Sequence, residues 1–464
     1  MKHKKLGTFT LAITLIVLGI ILLISNFMYI DINKILKILS AISIILIGVE
    51  FLFFDWYYKR KQLTMELKVS VTSIVLLVII YSSSFLISGI YMYSNDSVNG
   101  FRRIFNITDE YEVTKNYTEK ATGLTNIQVD NRRGNIEIQG TETEDILITA
   151  VFNISTFEEK ETAMELVEDM VSIDRRQDKT LTIKTQNNIL NHRGTYTHVN
   201  YIIEIPKNME VDISSRNGNI YVGKVDKKTT IKTSNSAIQV DNIGDELTIE
   251  NEYGDIEIET VAGSTIIKNE NGNINVENID GDLDIRNSYS DTNFDNISGN
   301  VTIDQEYGDI DGNKVGKNLE INGEGASVKI DDVQGLVTIE TSNESITAKN
   351  INSDIELSNS YGDISLEKIN SNIKIKSENG DIDIDNYNTN VTKIDIVNSY
   401  GSVNIDIPKD QQAAFELRSN YGNIDSVFDF DIKEDDNEKS VKATIGDSDN
   451  IITIKADNGD IFIN

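Results

Sequence analysis

Residues 251–310 read NEYGDIEIETVAGSTIIKNENGNINVENIDGDLDIRNSYSDTNFDNISGNVTIDQEYGDI. The Tyr-Gly-Asp-Ile of 253–256 returns at 307–310, and Asn-Gly-Asn-Ile at 271–274 and Tyr-Ser-Asp-Thr at 289–292 fill the two steps between. Followed outward at the same step of 18 residues, the glycine slot holds Gly218, Ser236, Gly254, Gly272, Ser290, Gly308, Ala326, Glu344, Gly362 and Gly380. A short fixed period means that each unit is one supersecondary element that buries its apolar face only by stacking on its neighbours, so it predicts a solenoid.

The aliphatic residues keep phase with this slot. Two residues after it stand Ile220, Ile238, Ile256, Ile274 and Ile310, and four after it Val222, Val240, Ile258, Val276 and Ile330. That alternation is a strand with one buried face. A second doublet follows at offsets 11 and 13, as in Leu247 and Ile249, Leu283 and Ile285, or Val301 and Ile303, and offset 7 is apolar from Val225 to Tyr387. A left-handed triangular helix of the same coil length would space its apolar residues six apart. Two doublets nine apart instead predict a flattened, all-β, β-helix-like parallel solenoid. Coils stacked at about 4.8 Å make ten of them a rod of roughly 50 Å. Both prolines, Pro206 and Pro408, fall just outside the strict repeat, where a missing ladder donor costs least.

The first hundred residues have another character. Leu6–Ile24, Ile35–Phe54 and Val69–Tyr93 are apolar runs of a length that suits a hydrocarbon core of about 30 Å, and they predict three transmembrane α-helices ahead of the solenoid. Lys2, Lys4 and Lys5 precede the first run, and Lys59, Arg60 and Lys61 follow the second. By the positive-inside rule both segments are expected in the cytoplasm, with the solenoid extracellular and the bilayer as a partner. Trp56, Tyr57 and Tyr58 suit an interfacial belt. No small-x-small cleavage site follows Ile24, so an uncleaved first segment is expected. The resulting division is a membrane domain at 1–93 (spans at about 6–24, 35–54 and 69–93), a linker at 94–119, an N-terminal β cap with one helix at 120–216, a regular solenoid at 217–400, and irregular coils with a closing cap at 401–464. The cap helix is expected over Thr156–Met170, with Phe157, Met164, Leu166, Val167 and Met170 on its apolar face. An acidic loop is expected from Asp425 to Glu438.

The net charge of −31 is unevenly divided: 9 Lys and Arg stand against 5 Asp and Glu before residue 100, which leaves 34 against 69 beyond it. So acidic a surface argues against nucleic acid as a partner, and it keeps a long β rod soluble and unassociated at its edges. The chain has no cysteine, which is compatible with an oxidising exterior.

Tyr-Gly-Asp-Ile at 253–256, 307–310 and 361–364 and Asn-Gly-Asp-Ile at 379–382 resemble the bacterial putative-adhesin domain family of unknown function, over roughly residues 120–464. The resemblance implies a β-solenoid at the cell surface, as in Lia-type envelope-stress proteins, and supplies no catalytic residues. The function expected is a membrane-anchored surface binding module for adhesion, sensing or regulation, not an enzyme. The alternative is a glycan-active β-helix lyase or hydrolase. Coils of constant length leave no insertion to wall a cleft, and His3, His192 and His198 are too few for a convincing metal set.

Two columns are candidate sites. Asp291 stacks under Asp309, and Asp363 under Asp381, so Ca²⁺ between close carboxylates is one reading, and it would be the only cofactor. Turn chemistry of Asp and Asn is the other, and the absence of a Gly-Gly-x-Gly-x-Asp repeat favours it. The slot before the glycine holds Tyr253, Tyr289, Tyr307, Tyr361, Tyr400 and Tyr421, a stripe suited to an envelope glycan or a membrane-protein partner, or to covering the turn beneath.

Overall fold

The computed structural model describes residues 4–6, 8–25, 32–61, 67–70, 75, 109–156, 159–186, 196–385, 387, 391–447 and 449–464, and it divides into two compact units, 1–108 and 109–464.

In the first unit, α1 (Thr8–Ser25) and α2 (Ile32–Arg60) accompany a parallel pair of three-residue strands, Lys4–Leu6 and Leu67–Val69. This corrects the expectation of three membrane spans, because no helix among the described residues is long and apolar enough to cross a membrane. At 18 residues α1 is about 27 Å long, short of the hydrocarbon thickness. The contact between the two helices is polar. Thr10 donates its hydroxyl to the buried Glu50 carboxylate at 2.7 Å, and the Thr14 and Ser43 hydroxyls meet at 3.0 Å. Apolar run length alone was therefore the wrong criterion. The third expected span starts in the strand Leu67–Val69, and its residues 71–74 and 76–93 lie outside the described residues, as do 94–108 of the expected linker.

The second unit is a parallel β-solenoid. Offsets 2–7 of each coil form one sheet and offsets 11–17 the other, with each strand paired to the strand 18 residues on: Ile256 to Ile274 in the first, Leu283 to Val301 in the second. The offsets read as inward are buried, from Ile256, Ile258 and Val261 to Leu283 and Ile285, while Glu257 and Glu259 between them are exposed. Two dihedral requirements make the corners. Gly254 and Gly272 have φ of +118° and +136°, and a Cβ there would lie 2.3 and 2.2 Å from the carbonyl oxygen of the coil before, so backbone approach and φ both favour glycine. At offset 6, Lys224, Asn242, Asn278, Asn296, Lys314, Asp332, Asn350 and Lys368 have φ of 52–59°, a left-handed residue that turns the next side chain inward.

Coil order departs from chain order at both ends. The coil of Asn126–Arg133 and Ile136–Thr141 lies between the strands of 180–206 and those of 210–225. At the other end the last coil, Ile451–Asn458 with Ile461–Ile463, is inserted between the coil of 393–405 and that of 413–426. The intervals of 21 and 37 after Gly380 and Gly422 record this detour: Gly459 packs on Gly401, and Gly422 on Gly459.

Antiparallel strands close each end. Asp109–Lys120, expected as linker, is a 12-residue strand paired with Asp145–Thr156. The cap helix is shorter than expected: α3 spans Lys160–Leu166, with Ala163, Val167 and Met170 buried but Met164 exposed, while Phe157 lies outside the described residues. At the C-terminal end the expected loop contains the strands Ile424–Ser426 and Lys433–Asp435, and Phe415, Phe428 and Phe430 cluster with ring centroids 5.1–5.8 Å apart.

Replacing the fully buried Ile256 with Asp puts an unpaired charge inside the stack, an effect of about 3–5 kcal/mol. Glu257→Lys, one residue along and exposed, stays within about 0.5 kcal/mol. Denaturant melts of the two variants check the inward assignment, and equal stabilities contradict it. A pH effect follows from Asp385, an exposed residue whose carboxyl is raised from its ordinary value first by partial desolvation and then by Asp406, Asp383 and Glu367. A raised folded-state value means that the penalty is absent below the ordinary carboxylate range near 3.9, grows as pH rises from there to the folded value, and is constant above it. Asp385→Asn should therefore raise the melting temperature at pH 7 and leave it unchanged at pH 3.

Candidate ligand-binding face

The outer surface of the second sheet carries three neighbouring columns. At offset 14, within the groove, stand Lys232, Glu250, Lys268, Arg286, Asp304 and Glu340, three basic and three acidic residues, and Lys376 follows beyond it. Lys232 pairs with Glu250 at 3.1 Å and Arg286 with Asp304 at 3.7 Å, so most of this column's charge is matched within it. At offset 16, towards the corner, stand Ser234, Glu252, Glu270, Ser288, Glu306, Glu324, Ser342 and Ser360. None of these four glutamates forms an ion pair among the described residues. The two columns line a groove of about 1060 Å³ that runs over successive coils from Ser214 to Ser360.

The tyrosines form the third column, one residue beyond offset 16 at the corner, and none of them lines the groove. Tyr253, Tyr289, Tyr307, Tyr361, Tyr400 and Tyr421 are each between 47% and 71% exposed. All six share one register slot, since Tyr253 pairs with Asn271, Asn271 with Tyr289, and Tyr289 with Tyr307. Tyr289 and Tyr307 stack at 5.6 Å with planes 8° apart, and the Tyr307 ring lies over Gly325 in the next coil, where a Cβ would meet it at 2.8 Å. Towards the C-terminus the column continues through the inserted coil, as Tyr400 pairs with Asn458 before Tyr421 is reached.

The aspartate column is occupied differently. Asp309 donates its backbone amide to Asp291 Oδ1 at 3.0 Å, Asp381 to Asp363 Oδ1 at 2.9 Å, and Ser402 to Asp381 Oδ1 at 2.7 Å. Each carboxylate thus binds the main chain one coil on, as Asp255 does for Asn273. Among the described residues no group of three or more His, Cys, Asp or Glu is placed to hold a metal ion. His198 stands in the strand Tyr196–Pro206 opposite Asn153, and His192 lies outside the described residues.

Sequence reasoning missed an interior column. Three residues before the glycine slot, Asn131, Asn251, Asn269, Asn287, Asn359 and Asn398 are buried. Asn251 Nδ2 donates to the carbonyls of Ser236 at 3.0 Å and Gly254 at 3.3 Å, and Asn359 Nδ2 to those of Glu344 and Gly362 at 2.9 and 3.0 Å. Two amide hydrogens on one nitrogen satisfy two successive corner carbonyls, which a hydroxyl with one hydrogen does not. The recurrence of Asn at this spacing was the available signal. This column fixes the corner from inside while the tyrosines cover it from outside.

The model of the Toastrack DUF4097 family matches residues 124–322 and again 298–464. Solved structures that resemble the chain include a putative cell adhesion protein from Clostridium sporogenes, with 15% identity over 76% of this chain and 99% of that one and a TM-score of 0.15. A putative adhesin from Parabacteroides distasonis has 15% identity over 58% and 96%, with a TM-score of 0.22, and one from Bacteroides fragilis 12% over 58% and 96%, with a TM-score of 0.20. Scores this low establish no common overall geometry. No curated protein matches the chain. The two family matches together run from the first coil to the last residue, and the chain belongs to the Toastrack DUF4097 family.

Proposed function

We propose that this chain is an adhesin-like binding module of the cell surface, and that its tyrosine edge, with the groove beside it, takes an envelope glycan. The observation that carries this reading is the set of half-exposed tyrosines in one register column. A tyrosine held on a rigid ladder offers a large amphipathic contact at little entropic cost, with an apolar ring face for a sugar and a hydroxyl for its polar rim. The serines and glutamates one residue before the tyrosines supply donors and acceptors in the groove beside this edge. The coils that line it keep their 18-residue step from Gly218 to Gly380, so the ligand lies along an open face and is bound without a loop closing over it.

The aspartate column belongs to the scaffold in this reading. Its Oδ1 atoms are committed to backbone amides of the next coil, which explains the residue type without a bound ion.

Changing Tyr289, Tyr307 and Tyr361 together to Ser removes three ring faces and leaves every inward position intact. Retention on purified bacterial cell wall should be lost. Stability should fall only by the Tyr289–Tyr307 stack, about 0.5–1.5 kcal/mol. A well-folded triple variant that is retained as strongly as the parent removes this edge from the functional account, whereas a collapse in stability assigns the rings to turn packing.

A further inference from the structure

Charge divides the groove lengthwise. The offset-14 column balances three basic against three acidic side chains, while the column next to the tyrosines holds Glu252, Glu270, Glu306 and Glu324 with no basic residue among them. Between Ser234 and Ser342 the carboxylates of this column fall on coils two, three, five and six, and the cations of the groove, Lys232, Lys268 and Arg286, stand across it in the offset-14 column, two of them paired there. A neutral glycan leaves these acids solvated and gains nothing from them, and an acidic one is repelled along the whole column. A ligand with ammonium groups gains charge-assisted hydrogen bonds, the stronger kind. The surface is the outer face of a sheet whose strands are already paired on both edges, so a peptide has no free ladder to join and would bind by side chains alone.

We propose, resting on the glycan reading above, that the groove binds a linear polysaccharide that carries free amino groups, laid along the solenoid axis with its sugar faces on Tyr253, Tyr289, Tyr307 and Tyr361 and its ammonium groups against the four glutamates. Tyr253 and Tyr361 stand six coils apart, so the bound stretch is about 29 Å long. Affinity should rise with oligomer length up to that reach and then level off.

The test uses the full chain and two matched probes, a linear poly-glucosamine with free amines and its fully N-acetylated counterpart, with a lysine-rich peptide as a third arm. The parent should hold the free-amine polymer at least about tenfold more tightly than the acetylated one, with the difference shrinking as salt is raised. Glu252, Glu270, Glu306 and Glu324 changed together to Gln should abolish that preference. A control that removes four carboxylates from the other sheet, Asp241→Asn with Glu257→Gln, Glu259→Gln and Glu277→Gln, should retain it, which separates the groove from the general acidity of the chain. Equal binding of both polymers, with sensitivity to the tyrosine changes kept, overturns the amine specificity and leaves the glycan reading standing. Binding of neither polymer overturns both, and preferential capture of the lysine-rich peptide by the groove glutamates overturns the choice of a glycan in favour of a basic protein.

Discussion

The in-register parallel hydrogen bond between coils is the constraint from which the rest of this structure follows. A backbone amide of one coil donates to the coil 18 residues away, as Ile256 N does to Asn273 O at 2.9 Å, and this repeats in two sheets along the second unit. Once that register is set, every side chain lies above its counterpart, and a residue type acceptable in one coil is acceptable in all. Columns of isoleucine inside, of asparagine at the corner and of tyrosine outside are then consequences of one geometric rule. The rule also limits what the corners tolerate. Backbone carbonyls approach the glycine slot so closely that a Cβ at Gly254 is excluded; of the slot's other occupants Ser290 keeps the strained φ, at +138°, whereas Ser236, Ala326 and Glu344 leave the positive-φ region.

The corner is also where the proposed binding edge is built. Its carbonyls point inward, away from both sheets, and the buried asparagine amides bind them in pairs. On the outside the same corner carries the tyrosines, whose backbone is held by these interior bonds. Asn251 Nδ2 reaches the Tyr253 carbonyl at 3.0 Å, so the residue that fixes the main chain under a ring is two positions away from it. The proposed binding edge is thus held in place before any ligand arrives, which would reduce the ordering cost of association.

The repeat was legible in sequence because its signals were redundant: Ile256, Ile258, Val261, Leu283 and Ile285 all report the same period, and each is buried. The tyrosine column was legible for the same reason. Other features had one signal or an ambiguous one. Asp291 over Asp309 has the same spacing whether it binds a cation or an amide, and only the position of Asp309 N, 3.0 Å away, shows what Oδ1 accepts. The runs at 6–24 and 35–54 suggested spans by length, but no described helix is long and apolar enough to cross a membrane, and the contacts of Thr10, Thr14, Ser43 and Glu50 between the helices were not legible in hydropathy. The coil order at the ends was hidden altogether. Strands of Asn126–Arg133 and Glu210–Asn217 pair across 84 residues, a distance at which no period survives.

That hidden order decides whether the edge is continuous. Gly401 and Gly422 are 21 residues apart in sequence yet two coils apart in space, with Gly459 between them, so Tyr421 extends the column only if the last coil enters that gap. The chain has no cysteine, which makes the point directly testable by pairs of introduced cysteines. Asn404 and Asp425 each stand opposite Phe462 on adjacent strands. Under mild oxidation of the folded full-length protein, Asn404→Cys with Phe462→Cys should form a disulfide rapidly, and Asn404→Cys with Asp425→Cys, held about 9.6 Å apart by the intervening coil, should not. Rapid bonding of the second pair with none in the first would show that the coils stack in chain order, and would contradict the single continuous ladder on which this account rests.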